Sequence, residues 1–181
     1  MNTEIEAKFL NVNKDAIREQ LKALGAELVF AEKKFQRITF DNPELKAKNA
    51  WIRLRDEGGK ITLALKMVSD PNSISGMKES SFEVKGWDEI VMFVESLGYM
   101  QKGQEENYRE EWKLGDVVFD IDTWPLVNSW LEIEAPSEEL VKEYAQKLGF
   151  DYSKAVFGSA DIVYRDFYGI EILGRPSLLF G

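Results

Sequence analysis

Acidic and basic side chains recur at alternate positions along much of this sequence. Glu4, Glu6 and Lys8 alternate with Ile5, Ala7 and Phe9, and Arg53 and Arg55 with Ile52 and Leu54. Asp120 and Asp122 alternate with Phe119 and Ile121, and Glu132 and Glu134 with Leu131 and Ile133. Arg37 opposes Ile38 and Phe40, Lys66 opposes Leu65 and Met67, Glu83 and Lys85 oppose Phe82 and Val84, and Arg109 shares a face with Glu111. In an extended chain a period of two sends each charged set to one face and its apolar neighbours to the other. The cations supply guanidinium forks and ammonium point charges suited to phosphate oxygens. The Glu-x-Glu pairs supply oxygen ligands for a hard cation such as Mg²⁺ or Mn²⁺. Phosphate together with a divalent metal is the chemistry such a face fits.

Two absences narrow the alternatives. The 181 residues include no Cys and no His, so disulfides, thiolate nucleophiles, imidazole bases and His- or Cys-ligated metals are excluded. There is no Gly-x-x-x-x-Gly-Lys-Ser/Thr loop and no Gly-x-Gly-x-x-Gly, so side chains rather than a helix N-terminus must hold any phosphate. A net charge of −9 disfavours a nucleic-acid backbone as partner and leaves a small polyanion in a local pocket. Met1 to Leu10 lacks the basic-then-apolar order of a signal peptide, and no apolar run is long enough to span a bilayer as a helix. The expectation is a cytoplasmic protein without a membrane partner, monomeric or homodimeric.

The elements that must position these charges follow from the same patterning. Strands are predicted over 2–10, 27–41, 50–56, 60–68, 78–86, 104–113, 115–123 and 129–135, eight in all. Asp56-Glu57-Gly58-Gly59 and Lys113-Leu114-Gly115-Asp116 read as tight hairpins, which makes the order antiparallel. A helix is expected after Asn13, ending at Gly25. Two others are expected over 87–96, capped by Asp88, and over 137–147, capped by Ser137; a last one covers 159–168 before Gly169. Strand, helix, Leu-Gly and further strands occur once from residue 2 and again from residue 78, a weak internal repeat. No linker divides the chain, so one domain over 1–181 is expected, with the apolar tail Ile170 to Phe180 docked on its body.

Alternation alone admits two architectures. One is an open antiparallel sheet with helices on its apolar face and water on its charged face. The other is a sheet curled into a barrel with the charges inside, where so many ionic groups would require a charged ligand and its metal.

Glu4-Ile5-Glu6-Ala7-Lys8 resembles the Glu-x-Glu-x-Lys signature of the CYTH superfamily, the triphosphate tunnel metalloenzymes. Ile52-Arg53-Leu54-Arg55, Thr62 to Lys66, Arg109 and the run Asp122 to Glu134 follow in the family's order. The resemblance implies an α+β fold: an eight-stranded antiparallel, closed or nearly closed β-barrel with helices packed outside. It implies Mg²⁺ or Mn²⁺ on Glu4, Glu6, Asp120, Asp122, Glu132 and Glu134. A triphosphate would be gripped by Lys8, Arg37, Arg53, Arg55, Lys66, Lys85 and Arg109, with Glu4, Glu6 and Lys8 as the catalytic group; Glu83 and Glu111 match by parity but more weakly by motif. Thr39-Phe40-Asp41 stands where many members have Tyr-Phe-Asp or Tyr-Tyr-Asp, and Asn128 where cyclase-like members often have Gly. The implied activity is metal-dependent hydrolysis of inorganic, thiamine or nucleoside triphosphate. The alternative is a class IV adenylyl cyclase making cyclic AMP and pyrophosphate, and a third reading is a polyphosphate- or nucleotide-binding module. Trp51, Trp112, Trp124 and Trp130 are expected to pack in the core or at the tunnel rim.

Overall fold

A computed structural model describes residues 1–181. Its sheet follows the order β1 (Asn2–Glu4), β6 (Met77–Val84), β5 (Ile61–Val68), β4 (Ala50–Asp56), β3 (Glu27–Asp41), β7 (Met100–Leu114), β8 (Val117–Thr123), β9 (Trp130–Glu134), β2 (Glu6–Leu10). All eight pairings along this path that join separate strands are antiparallel. β1 and β2 are the two parts of the expected first strand, interrupted at Ile5. The first part pairs β6 and the second pairs β9, so the N-terminal segment joins the two ends of the sheet. The result is a nearly closed barrel, and the open-sheet alternative falls. Nine strands replace the expected eight because of this break.

A tenth strand, β10 (Ser177–Leu178), pairs in parallel with Gln104 and Glu105 of β7. The β7–β8 ladder runs only from Tyr108 to Leu114, so the C-terminal tail takes the edge of β7 that β8 leaves bare.

The apolar core lies outside the barrel. Ala7 and Phe9 on β2, Phe119 and Ile121 on β8, and Leu131 and Ile133 on β9 face α1 (Lys14–Leu24) and α4 (Glu138–Lys147), meeting Ile17, Leu21, Val141 and Ala145 in one buried cluster. Asn13 caps α1 by accepting the Ala16 amide, and Gly25 ends it at φ 84°, a conformation that costs glycine little. Ile38, Phe40 and Leu54 face Val94 of α3 (Trp87–Ser96). α3 departs from expectation at its start: Gly86 is the N-cap without a side-chain bond, and Asp88 lies in the first turn. A short helix, α2 (Pro43–Ala47), had not been expected, although Asn42 caps it and Pro43 opens it. α5 (Ala160–Tyr168) packs Val163 and Tyr164 against Trp124, Trp130, Val156, Ile172 and Leu178.

Because the apolar partners of each strand are turned outward to the helices, the alternating charges must point inward. Burial of the helix-facing side chains at roughly 25 cal/mol per Å² holds the strands in that register. A one-residue slip would exchange the two faces.

Candidate active site

The inward faces enclose a cavity of about 750 Å³. Every residue expected to act reaches it except Lys85. Glu4, Glu6, Lys8, Arg37, Arg53, Arg55, Lys66, Arg109, Glu111, Asp120, Asp122, Glu132 and Glu134 all line its wall. Lys85 is exposed beyond the end of β6, and Glu83 is exposed near it. Parity placed both on the correct face, but neither lines the cavity: Glu83 sits opposite Thr62 near the start of β5, and Lys85 follows β6. The charged β6 residue that lines the cavity is Glu79.

The wall is divided by charge. On one side Lys8 Nζ lies 2.8 Å from Glu6 and 3.7 Å from Glu132. Arg109 bridges Asp120 at 2.6 Å, Asp122 at 2.6 Å and Glu132 at 3.5 Å. Glu6, Asp120, Asp122 and Glu132 are buried, whereas Glu134 is exposed at the mouth. Burial, and then repulsion from Glu132, pushes Glu6 up to about 8. Asp120 is likewise raised well above the usual carboxylate range by burial, despite Arg109. Burial acts the same way on Glu132, but Lys8 and Arg109 outweigh it and hold this carboxylate below the usual range. Two cations therefore do not satisfy the acids around them.

The opposite side has the reverse imbalance. Burial, with Arg55 close by, lowers Arg37 to about 9 and Arg53 to about 10. Each has an Nε buried without an acceptor. Two acids offset these cations in part: Glu79 receives Arg53 at 3.3 Å and Lys66 at 2.8 Å, and Glu105 stands opposite Arg37 in the register. Burial would raise Glu79, but Arg53 and Lys66 bring it down to about 2. Lys66 also reaches Glu4 at 3.1 Å and so connects the two sides.

No three acidic side chains stand in ligating geometry, because Lys8 and Arg109 occupy the spaces between them. The donor set nevertheless fits a hard cation. It consists only of carboxylates, three of them (Glu6, Asp120 and Glu134) raised, with burial the first cause, and Asp120 Oδ1 is buried without a hydrogen-bond partner.

Sequence reasoning missed Glu79 and Asn107. Asn107 is fully buried between the two sides, accepting from Arg37 and donating to Asp122. The parity of β6 and β7 could have pointed to both, since Glu79 shares a face with Glu83 and Asn107 with Arg109.

The fold has known counterparts. PH1012 protein from Pyrococcus horikoshii superposes with TM-score 0.72 at 23% identity, over 84% of this chain and 93% of that one. A Vibrio parahaemolyticus protein, described as a candidate adenylate cyclase, gives 0.73 at 17%, over 93% and 99%. HpAC1 from Hippeastrum, described as a candidate adenylyl cyclase with a dominant triphosphatase activity, gives 0.62 at 17%, over 90% and 95%. At these identities the likeness is one of fold. No functionally curated protein matches the sequence. The CYTH domain model matches residues 2–163, a span that contains every strand lining the lumen, and the chain belongs to the CYTH domain family.

Proposed function

We propose that this protein is a divalent-metal-dependent phosphohydrolase that cleaves a triphosphate to diphosphate and orthophosphate. The observation that carries this reading is the two-sided lumen: arginines short of negative charge face carboxylates short of positive charge. A polyanion and a cation bound together would satisfy both sides; either alone would satisfy one.

Arg37, Arg53, Arg55 and Lys66 would hold phosphoryl oxygens, their charge offsetting what builds on the departing diphosphate. Glu4, Glu6, Asp120, Asp122, Glu132 and Glu134 are the residues that would hold Mg²⁺ or Mn²⁺. Such an ion acts as a Lewis acid on phosphate oxygens and lowers the pKa of bound water. Lys8, between Glu6 and Glu132, would keep these carboxylates apart and oriented toward the substrate. The description of HpAC1 supports hydrolysis over cyclisation in a related fold.

The test is a parallel assay on inorganic triphosphate, ATP and thiamine triphosphate, with Mg²⁺ or Mn²⁺, resolving orthophosphate, pyrophosphate and cyclic AMP. Orthophosphate without cyclic AMP is expected, abolished by EDTA and restored by the ion. Cyclic AMP with equimolar pyrophosphate would make it a cyclase instead. Saturable binding without any product would make it a binding module. Glu132→Gln combined with Glu134→Gln should stop turnover while the arginines still bind triphosphate; full activity in that variant would remove the metal assignment.

A further inference from the structure

Under α5 the lumen contains three buried donors with no acceptor: Nε of Arg37 and the indole Nε1 of both Trp124 and Trp130. All three residues line the cavity and are more than nine-tenths buried, at 8%, 4% and 1% exposure. They also form one stack. The Arg37 guanidinium lies 4.4 Å from the centre of the Trp124 ring, and Trp124 stacks on Trp130 at 5.7 Å and 18°. Tyr164 of α5 meets Trp124 edge-on and donates its hydroxyl to the Pro125 carbonyl, so packing fixes the ring faces.

Packing does not account for the N–H groups. Burying a donor without an acceptor is unfavourable, and a core position filled for its ring alone gains nothing from it. Trp112 shows the ordinary solution, since its indole donates to Glu110 at 2.7 Å. Around Arg37, Asn107 Oδ1 receives Nη2 of the same arginine and Asp122 receives Asn107 and Arg109, while Glu105, opposite Arg37 in the register and lining the same cavity, makes no hydrogen bond to Nε. Indole and guanidinium only donate, so one ligand that satisfies all three must only accept.

We propose that Arg37, Trp124 and Trp130 form an oxyanion subsite, in which the two indole N–H groups and Nε of Arg37 bind a phosphoryl oxygen of the polyphosphate. This rests on the triphosphate reading above and extends it. The subsite differs in kind from the arginine wall, because two of its donors are neutral. The two indoles fix where an oxygen sits, and their share of the binding should survive salt that screens the lysines and arginines, Arg37 included.

The five tryptophans give five indole ¹⁵N–¹H signals, which can be followed in the full, metal-free chain as inorganic triphosphate is added. The signals of Trp124 and Trp130 should move downfield and saturate together, while that of Trp112 stays in place. Trp130→Phe keeps an aromatic ring and loses the donor; it should weaken triphosphate binding by roughly two- to tenfold, the range for one neutral hydrogen bond. If that variant does not fold, the wild-type signals, assigned through contacts to Tyr164, decide the matter. Calorimetric binding of triphosphate with both signals stationary would overturn the subsite and leave the function standing. Absence of any triphosphate binding would overturn both.

Discussion

Asn107 donates from Nδ2 to Asp122 Oδ1 at 2.9 Å while its own Oδ1 receives Arg37, so a single buried amide links the arginine side of the lumen to the carboxylate side. Only this orientation of the amide works, because the arginine needs an acceptor and the carboxylate a donor. Replacing it with Leu leaves each partner buried without that bond, at a cost of about 1 to 3 kcal/mol apiece. Urea unfolding of Asn107→Leu should show a clearly lower midpoint. An unchanged midpoint would mean that the two sides are positioned independently.

Glu79 stands where an incoming phosphate would be welcome, between Arg53 and Lys66. Glu79→Gln should destabilise the ligand-free protein by about 2 kcal/mol, since it leaves two cations facing each other with less compensation. Inorganic triphosphate should then raise Tm more in the variant than in wild type. An equal shift in both would show that Glu79 does not neutralise the grip.

The exchange of Lys85 for residues deeper in the barrel can be tested directly. At a hundredfold excess over Kd, a ligand that binds only the folded state stabilises it by about 2.7 kcal/mol. Triphosphate should produce such a shift without metal in wild type and in Lys85→Ala. It should produce little in Arg53→Ala, whose side chain lines the cavity. Loss of the shift in Lys85→Ala would restore that residue to the site.

Glu110 lies outside the lumen, where Arg18 of α1 meets it through Nη2 at 2.8 Å and through Nε at 3.1 Å. Burial alone would raise this carboxyl, but hydrogen bonds from Arg18 and Trp112 outweigh it and hold it below the usual range. A carboxylate depressed by folding stabilises above its unfolded pKa of about 4.5, and the contribution disappears as pH falls through its folded value. Arg18→Ala should therefore cost about 1 to 2 kcal/mol at pH 7 and progressively less below about pH 4.5. A deficit that stays constant with pH would assign the loss to packing of the arginine stem.

The charged faces were legible in the sequence because helices cover the outer side of the barrel; Phe9, Phe119 and Leu131 face outward to them, and the ionic neighbours have only the inside left. Period two does not give depth along the barrel axis. That is why Lys85 and Glu83 were grouped with Arg53 and Lys66 although both are exposed and neither lines the cavity. Glu79 and Asn107 were hidden for a different reason: neither belongs to an alternating charged pair on its own strand, and their partners lie on neighbouring strands, Lys66 directly opposite Glu79 and Arg37 and Asp122 on either side of β7. α2 left its signals at Asn42 and Pro43, but five residues are too few for a hydrophobic period to show.

The division of the first strand at Ile5 also has a kinetic meaning. β3 to β6 and β7 to β9 each contain antiparallel neighbours joined in sequence, such as the Asp56–Ile61 and Leu114–Val117 turns, whereas β2 must find β9 more than a hundred residues away. Contacts of such long range carry the larger loop-closure cost and form late. Glu4 and Glu6 ride on this seam, so the carboxylate side of the lumen is completed only in the last step of folding. A chain arrested before that step would hold Asp120, Asp122 and Glu132 on β8 and β9 and Glu79 beside Arg53, and would lack Lys8 and the two acids of the seam.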